Sequence, residues 1–429
     1  MRILLVSAEY PPESPGGLGN ATRNLALGLK ACGAHPFVLS SSRRPSGSHE
    51  ETYSEEMDDG VPVFRINYAP KRLKREPSWF WRFHDFYLPA DCHRYSRLVG
   101  EACFTLIRRL EIDVVQFPDY KGEAYHFTRR ANFPTVIRLA TPLYMVKKIN
   151  RSATPAPDDR PGTFEGTAER LMRHIECEAI KRASALASPS ASLARLVAED
   201  IGAVPETEII PTGIDIDMFK PARATDVAAF RRSLGLGEGP VIVFAGRYEY
   251  RKGIHDLVDA MKLIRERIPV SRLVLAGGDT ETAPGGGSMK KHLEEKTRSL
   301  GLQSQVVFLD RVPHDQLILL YSLATVFAAP SLYENLANTI LEAMACGAPV
   351  VSTTSGGAPE VIDIPQNGML VAPGDTEALA GAILELLSDP DRCKMIGENN
   401  RRKAQERFSR RRMAADFLVL YERVLSRTR

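Results

Sequence analysis

Two glutamates, Glu334 and Glu342, stand eight positions apart in the stretch SLYENLANTILEAMACGAPVVS, residues 331–352. Paired carboxylates can work as acid and base on one bond. In glycoside hydrolases they then stand about 5 Å apart, or up to about 9.5 Å where water attacks directly. Eight helical steps rise roughly 12 Å, and a partly extended loop makes the gap no shorter. The two acids therefore suit the two ends of an extended ligand, such as a sugar and a ribose. A lone pair of glutamates is more often a helix cap plus a solvated helix residue, and only the surroundings argue otherwise. Asn338 reads as the cap and Gly347 as the stop of a short helix. A helix N-terminus at the carboxyl end of a strand offers N–H groups and a positive dipole end to a phosphate.

The second chemical signal is GRYEYRKG, residues 246–253, directly after an apolar run. Arg247 and Lys252 are two fixed cations that can answer the two charges of a diphosphate. A departing diphosphate gains charge in the transition state, so cations aimed at it lower the barrier. One such loop alone is an ordinary basic surface loop. Two phosphate-compatible loops on neighbouring strands weigh against that ordinary reading.

These loops need strands to carry them, and the chain supplies strands in a repeated order. Ile3 to Ser7 is apolar, a Pro/Gly loop follows through Gly16 and Gly17, and a helical pattern runs from Ala21 to Cys32 before the strand Pro36 to Ser41. The order recurs at Pro240 to Ala245, with helix Ile254 to Arg267 and strand Arg272 to Ala276. It recurs again at Ala324 to Ala329, with helix Asn338 to Ala345 and strand Pro349 to Thr353. Such alternation predicts parallel sheets covered by helices, an α/β architecture. With 429 residues, two doubly wound, Rossmann-like domains facing across a cleft are expected, each binding ligands outside the carboxyl ends of its strands. The expected divisions are 1–210, a hinge at 211–221 around PTGIDIDMFKP, a second domain at 222–400, and a basic helical tail at 401–429.

Composition is that of a globular protein, 44% hydrophobic and 25% charged. A net charge of +3 argues against a dedicated nucleic-acid binder. The six scattered cysteines include no C-x-x-C pair, which suggests neither zinc nor a disulfide framework and fits a reducing cytoplasm. MRILLVSAEY reads as a buried strand instead of a signal peptide, and no apolar run is long enough to span a membrane. Lys71 to Tyr87 mixes cations with aromatic residues. It reads first as a helix packing its rings inward, and second as a peripheral contact with the inner membrane face or an acceptor site. Asp215-Ile-Asp217 is an Asp-x-Asp match of a kind that can hold a metal but lies in the hinge stretch, and the nine histidines show no ligand spacing, so no metal is expected. Gly285-Gly286-Gly287 reads as a surface loop.

Taken together, Glu334, the seven residues that follow, Glu342 and AMACGAPVV resemble the retaining glycosyltransferases of family 4, which have the GT-B fold. GRYEYRKG, TGIDIDMFKP and the closing RFSRRRMAADFLVLYERVL match as well, so the resemblance covers nearly the whole chain. It implies transfer of a hexose-type sugar from a nucleoside-diphosphate donor, uridine-linked as the first expectation, to a hydroxyl of a glycan, lipid-linked sugar or small molecule. Arg247 and Lys252 would hold the diphosphate. Glu334 with the backbone of Asn335, Leu336, Ala337 and Asn338 would hold the transferred sugar, Glu342 the ribose, and Arg311 and Val312 the base. Gly16 and Gly17 would let phosphate or acceptor approach the backbone, and the final helix would cross back to the first domain. The nucleotide sugar is then a substrate, with no further cofactor and no metal.

Asp119, Glu123 and Arg138 are acceptor-side candidates. One departure from the family pattern stands out: many members carry a histidine where PTVIRLATPL has Ala140. That departure keeps a non-catalytic nucleotide-sugar-binding subunit open as an alternative. A nucleotide-sugar epimerase finds no acid pair to support it, and a dinucleotide-binding reading fails at Thr22, where a third glycine is needed.

Overall fold

Residues 2–6 form the first strand because a parallel strand covered on both faces needs apolar side chains at every position. Ile3 and Leu5 point into one core, Leu4 and Val6 into another. The computed structural model describes residues 1–13, 16–42, 53–68, 81–146 and 163–428, with side chains left out at 81–87, 163–165 and 428. Lys71 to Pro77 and the residues up to Phe80 therefore lie outside the described residues. From Trp81 to Tyr87 the backbone alone is described, as the start of a helix.

The chain divides into two units. The described residues of the first run up to Gly213 and resume at Arg410, and those of the second run from Ile214 to Ser409. The first unit holds β1 (Arg2–Val6), β2 (His35–Ser42), β3 (Tyr53–Asp58), β4 (Val61–Asn67), β5 (Val114–Pro118), β6 (Thr135–Arg138), β7 (Ala185–Ser188) and β8 (Thr207–Ile209). Their order is β3-β4-β2-β1-β5-β6-β7-β8, parallel except for the antiparallel β3. Leu4 pairs with Phe37 on one side and with Val115 on the other.

One face of this sheet packs on helix Gly17–Ala31 and the final helix Arg410–Thr428, through Leu25, Leu29, Phe417, Leu420 and Tyr421. Gly28 makes that possible: a Cβ there would run into the Arg410 carbonyl. The other face packs on helices Trp81–Leu110 and Thr163–Lys181, through Val99, Leu106, Ile175 and Ile180.

The second unit is an all-parallel sheet of β9 (Val241–Ala245), β10 (Arg272–Ala276), β11 (Val306–Leu309), β12 (Val326–Ala329), β13 (Val350–Thr353) and β14 (Gly368–Val371), ordered β11-β10-β9-β12-β13-β14. Val241 and Val243 face Tyr321, Ile340 and Met344, whereas Ile242 and Phe244 face Leu257, Met261 and Ile383. The tail expected at 401–429 is two helices, Pro390–Arg407 and Arg410–Thr428. Between them Ser409 bridges to Ile214, whose N–H donates to the Phe408 carbonyl at 2.8 Å. Among the parallel strands of each sheet the order reverses once, between β1 and β5 and between β9 and β12. Crevices open at the carboxyl ends of the strands at such switch points.

Candidate functional site

The loops after β9 and β12 are the two that flank the second unit's switch point. After β9, Gly246 is followed by a short 3-10 turn, Tyr250–Lys252, and Gly253 (φ 64°) caps helix Ile254–Arg267. Gly253 needs that left-handed backbone and also has no room for a side chain, since a Cβ would strike the Pro330 carbonyl just after β12. The two loops are further joined where the Leu332 N–H donates to the Arg251 carbonyl at 2.8 Å.

This contact delivers two cations to one acid. Arg251 lies 3.0 Å from Glu334 Oε2, and Lys252 Nζ pairs with the same oxygen. Burial alone would raise the Glu334 carboxyl, but Lys252 and Arg251 outweigh it and hold it at about 2. Arg251 also donates to the Tyr333 carbonyl (3.2 Å) and pairs with Glu249 at 2.8 Å. Glu249 in turn pairs with Arg247 at 2.7 Å. Arg247 is 69% exposed along its side chain, against 14% for Arg251 and 16% for Lys252. The sequence reading named Arg247 and Lys252 and missed Arg251. The doublet Arg251-Lys252 was the available signal, two adjacent cations in one short turn.

The glutamate loop is gripped from behind by residues that the sequence reading also missed. Thr353 Oγ1 donates to the Ser331 carbonyl (2.7 Å) and Ser355 Oγ to the Leu332 carbonyl (2.9 Å). Gly356 (φ 63°) presses against the Glu334 carbonyl, and the Gly357 N–H donates to the Asn335 carbonyl. STTSGG, residues 352–357 at the end of β13 and just beyond it, is thus a mould for the Glu334 loop.

Helix Asn338–Ala345 begins one residue earlier than expected in its cap. Ala337 occupies the cap position and gives no side-chain acceptor to the helix N–H groups, so Asn338 is the first helical residue and not the cap. The helix ends at Ala345, with Gly347 (φ 80°) just beyond. Glu342 accepts a hydrogen bond from the Tyr321 hydroxyl at 2.8 Å, and burial pushes its carboxyl up to about 7. Glu334 and Glu342 therefore sit in opposite electrostatic settings, one ionised by cations and one poised near neutrality. Arg311 and Val312 follow β11, at the carboxyl edge of the same sheet. There Tyr248, fully buried, sets its hydroxyl 2.8 Å from the Leu275 carbonyl and 2.7 Å from that of Leu309.

In the first unit the switch-point loops follow β1 and β5. Gly16 caps helix Gly17–Ala31 without a side-chain acceptor; a Cβ on Gly16 would meet the Glu9 carboxylate, while Gly17 faces open space. The acceptor-side candidates Asp119, Glu123 and Arg138 are all buried, and each is hydrogen-bonded within the first unit. Both Glu123 oxygens accept from the Ala8 N–H at 3.1 Å, and Asp119 accepts from the Ala140 N–H at 2.9 Å. Arg138 donates to the Ala21 carbonyl (3.3 Å) and to Thr212 (3.1 Å), and lies over the Phe417 ring. They tie loops and helices together. Glu176, unremarked in the sequence, does the same with three backbone donors: Lys121 (2.7 Å), Leu143 (2.9 Å) and Tyr144 (3.1 Å). Burial raises Glu123 to about 8 and Glu176 to about 7.

Asp215 accepts from the N–H groups of Asp217 and Met218, both at 3.1 Å, which makes the Asp-x-Asp stretch a turn. No group of three or more His, Cys, Asp or Glu among the described residues is placed to hold a metal ion. Nor is any described helix long and apolar enough to cross a membrane.

The sequence models of two protein families match this chain: Glycosyl transferases group 1 over residues 226–403, and the Glycosyl transferase 4-like domain over residues 16–213. The chain belongs to the family 4-type glycosyltransferases. A glycogen synthase of Mycobacterium tuberculosis is 29% identical over 420 residues, covering 97% of this chain and 91% of that protein. A GDP-mannose-dependent mannosyltransferase of Mycolicibacterium smegmatis, acting on a phosphatidylinositol monomannoside, is 34% identical over 218 residues, 48% of this chain and 54% of that one. Among solved structures, sucrose-phosphate synthase from Thermosynechococcus elongatus superposes with a TM-score of 0.77 at 24% identity, over 99% of each chain. Anabaena HepE, solved with UDP and glucose, gives 0.73 at 21% identity over 99% of this chain and 100% of its own. The fold is GT-B, two Rossmann-like units. In this glycosyltransferase the Lys252–Glu334 constellation falls within the group 1 match and the Gly16–Gly17 loop within the 4-like match.

Proposed function

We propose that this enzyme moves a hexose, with retention at the anomeric carbon, from a nucleoside-diphosphate donor to a hydroxyl acceptor without a metal. The observation that carries the reading is the convergence of Arg251, Lys252 and Glu334 at the second unit's switch point, beside a helix whose cap leaves its N–H groups without a side-chain acceptor. Lys252, Arg247 and that helix end are the positive charges on offer to a departing diphosphate. Glu334 then faces the sugar, Glu342 the ribose, and Arg311 with Val312 the base. The acceptor oxygen attacks the anomeric carbon on the face the diphosphate leaves. The carbon–oxygen bond to the diphosphate breaks as the new one forms, and the acceptor proton passes to the departing phosphate oxygen. No strong protein base is needed.

A uridine-linked donor is favoured by analogy with HepE, whose structure contains UDP and glucose, and the acceptor classes remain a glycan, a lipid-linked sugar or a small molecule. For a lipid-linked acceptor, Lys71 to Tyr87 is the proposed contact with an anionic membrane surface at the cytoplasmic face. Co-sedimentation with phosphatidylglycerol vesicles tests that contact.

The experiment for the function is a donor panel of UDP-glucose, GDP-mannose and ADP-glucose, each with an extract of mixed acceptors, with and without chelator. Release of nucleoside diphosphate unchanged within about twofold by chelator supports the proposal. Ala140 favours the second reading, a non-catalytic binding subunit: an inert wild type that Ala140→His activates would establish it.

A further inference from the structure

The charged side chains of the second unit's switch point form one alternating row: Arg247, Glu249, Arg251, Glu334, Lys252. The contacts along it are 2.7 Å, 2.8 Å and 3.0 Å, closed by the Lys252–Glu334 pair. Two cations converge on the single oxygen Glu334 Oε2, where one would balance its charge. They differ in how they are held. Arg251 is fixed by Glu249, by the Tyr333 carbonyl at 3.2 Å and through its own backbone carbonyl, which accepts from Leu332. The ammonium of Lys252 has Glu334 as its one side-chain partner among the described residues, and it sits on a flexible stem.

We infer that Arg251 is a positioning residue that keeps Glu334 neutralised and in place while Lys252 exchanges the carboxylate for the donor diphosphate. This rests on the proposed reading that the diphosphate binds at this switch point. Two requirements meet here. A diphosphate needs Lys252 free, and a largely buried carboxylate needs a counter-ion at every moment. Arg251 meets the second so that Lys252 can meet the first. The row carries three cations against two carboxylates, and that excess of positive charge favours an arriving anion. Burial would weaken the Arg251 guanidinium's hold on its charge, but Glu334 and Glu249 outweigh that and keep it a permanent cation. A tie that were merely structural would hold the loop equally well whether or not a diphosphate was present.

The test is a set of calorimetric titrations of UDP, GDP and ADP into the wild type, Arg251→Met, Arg251→Lys, Glu334→Gln and the double variant Arg251→Met/Glu334→Gln. Circular dichroism confirms that each is folded. For whichever nucleotide the wild type binds, Arg251→Met should weaken affinity about tenfold or more, because Lys252 becomes the sole counter-ion of Glu334. Arg251→Lys should stay within about threefold of wild type, and Glu334→Gln should bind as tightly as wild type or tighter. The deciding sample is the double variant. With the carboxylate gone Lys252 is released, and affinity should return to within about threefold of wild type. A double variant as weak as Arg251→Met, or weaker, overturns the exchange while leaving the donor site standing. A wild type that binds none of the three nucleotides overturns the donor-site reading and the exchange with it.

Discussion

Gly356→Ala should disable the enzyme by displacing the Glu334 loop. Gly356 has φ 63°, and a Cβ built on it would collide with the carbonyl of Glu334 and lie 3.2 Å from that of Asn335. Two costs follow. An L-residue in the left-handed region costs about 1–2 kcal/mol. The collision is with backbone, which cannot swing aside as a flexible side chain can, so the Glu334–Asn335 peptide must move. Moving a substrate-facing group by about 1 Å costs about a hundredfold in rate. The expected result is a fall in donor turnover of about two orders of magnitude with a stability loss of about 2–5 kcal/mol, the backbone cost plus that of the collision. The assay pairs steady-state kinetics with thermal unfolding. Gly381→Ala is the control: it sits in helix Thr376–Leu387 with nothing within 4 Å of the added carbon, and should raise stability by about 0.5–1 kcal/mol with activity intact. Wild-type turnover in Gly356→Ala would refute the idea that STTSGG shapes the glutamate loop.

Other consequences are open to measurement. Lys252→Met should lower turnover about two to three orders of magnitude, whereas the more exposed Arg247→Ala should lose less; equal, wild-type rates in both would remove them from the mechanism. Glu342→Gln should raise the donor KM about tenfold with kcat little changed. In the wild type the donor KM should rise as pH falls below about 7, where Glu342 gains its proton, and that rise should vanish in the variant. Glu176, lifted from 4.5 to about 7, binds a proton in the folded state that the unfolded chain has already lost. Its contribution to stability is therefore full below about 4.5 and lost as pH climbs through 7, so the fall in Tm between pH 5 and 8 should be shallower in Glu176→Gln; an unchanged slope counts against it.

The parallel sheets, the two units and the segments that carry Glu334, Glu342 and Lys252 were legible because each rests on a local pattern. Apolar runs mark buried strands, a glycine loop marks the turn into a helix, and Ile254–Arg267 and Asn338–Ala345 begin and end where those patterns change. What was not legible depends on contacts between distant segments. Arg251 and Lys252 are neighbours in a basic loop, and only the approach of residue 330 to Gly253 decides that both reach Glu334. Gly356 looks like an ordinary turn glycine until the Glu334 carbonyl is placed against it. Asp119, Glu123 and Arg138 looked functional because charged residues near strand ends often are. In the fold they bond to backbone groups, to the Thr212 hydroxyl and to a ring from other segments of the chain, which no spacing rule reveals.

The central claim, sugar transfer with retention from a nucleoside diphosphate donor, is tested most directly by following the anomeric protons in a proton NMR time course. UDP-glucose, whose anomeric linkage is axial, is incubated with the enzyme and a mixed acceptor fraction. The account predicts loss of the donor signal in step with growth of a new axial anomeric signal and of free UDP. An equatorial product would contradict retention, and a donor that binds but is never consumed with any donor of the panel would contradict the enzyme itself.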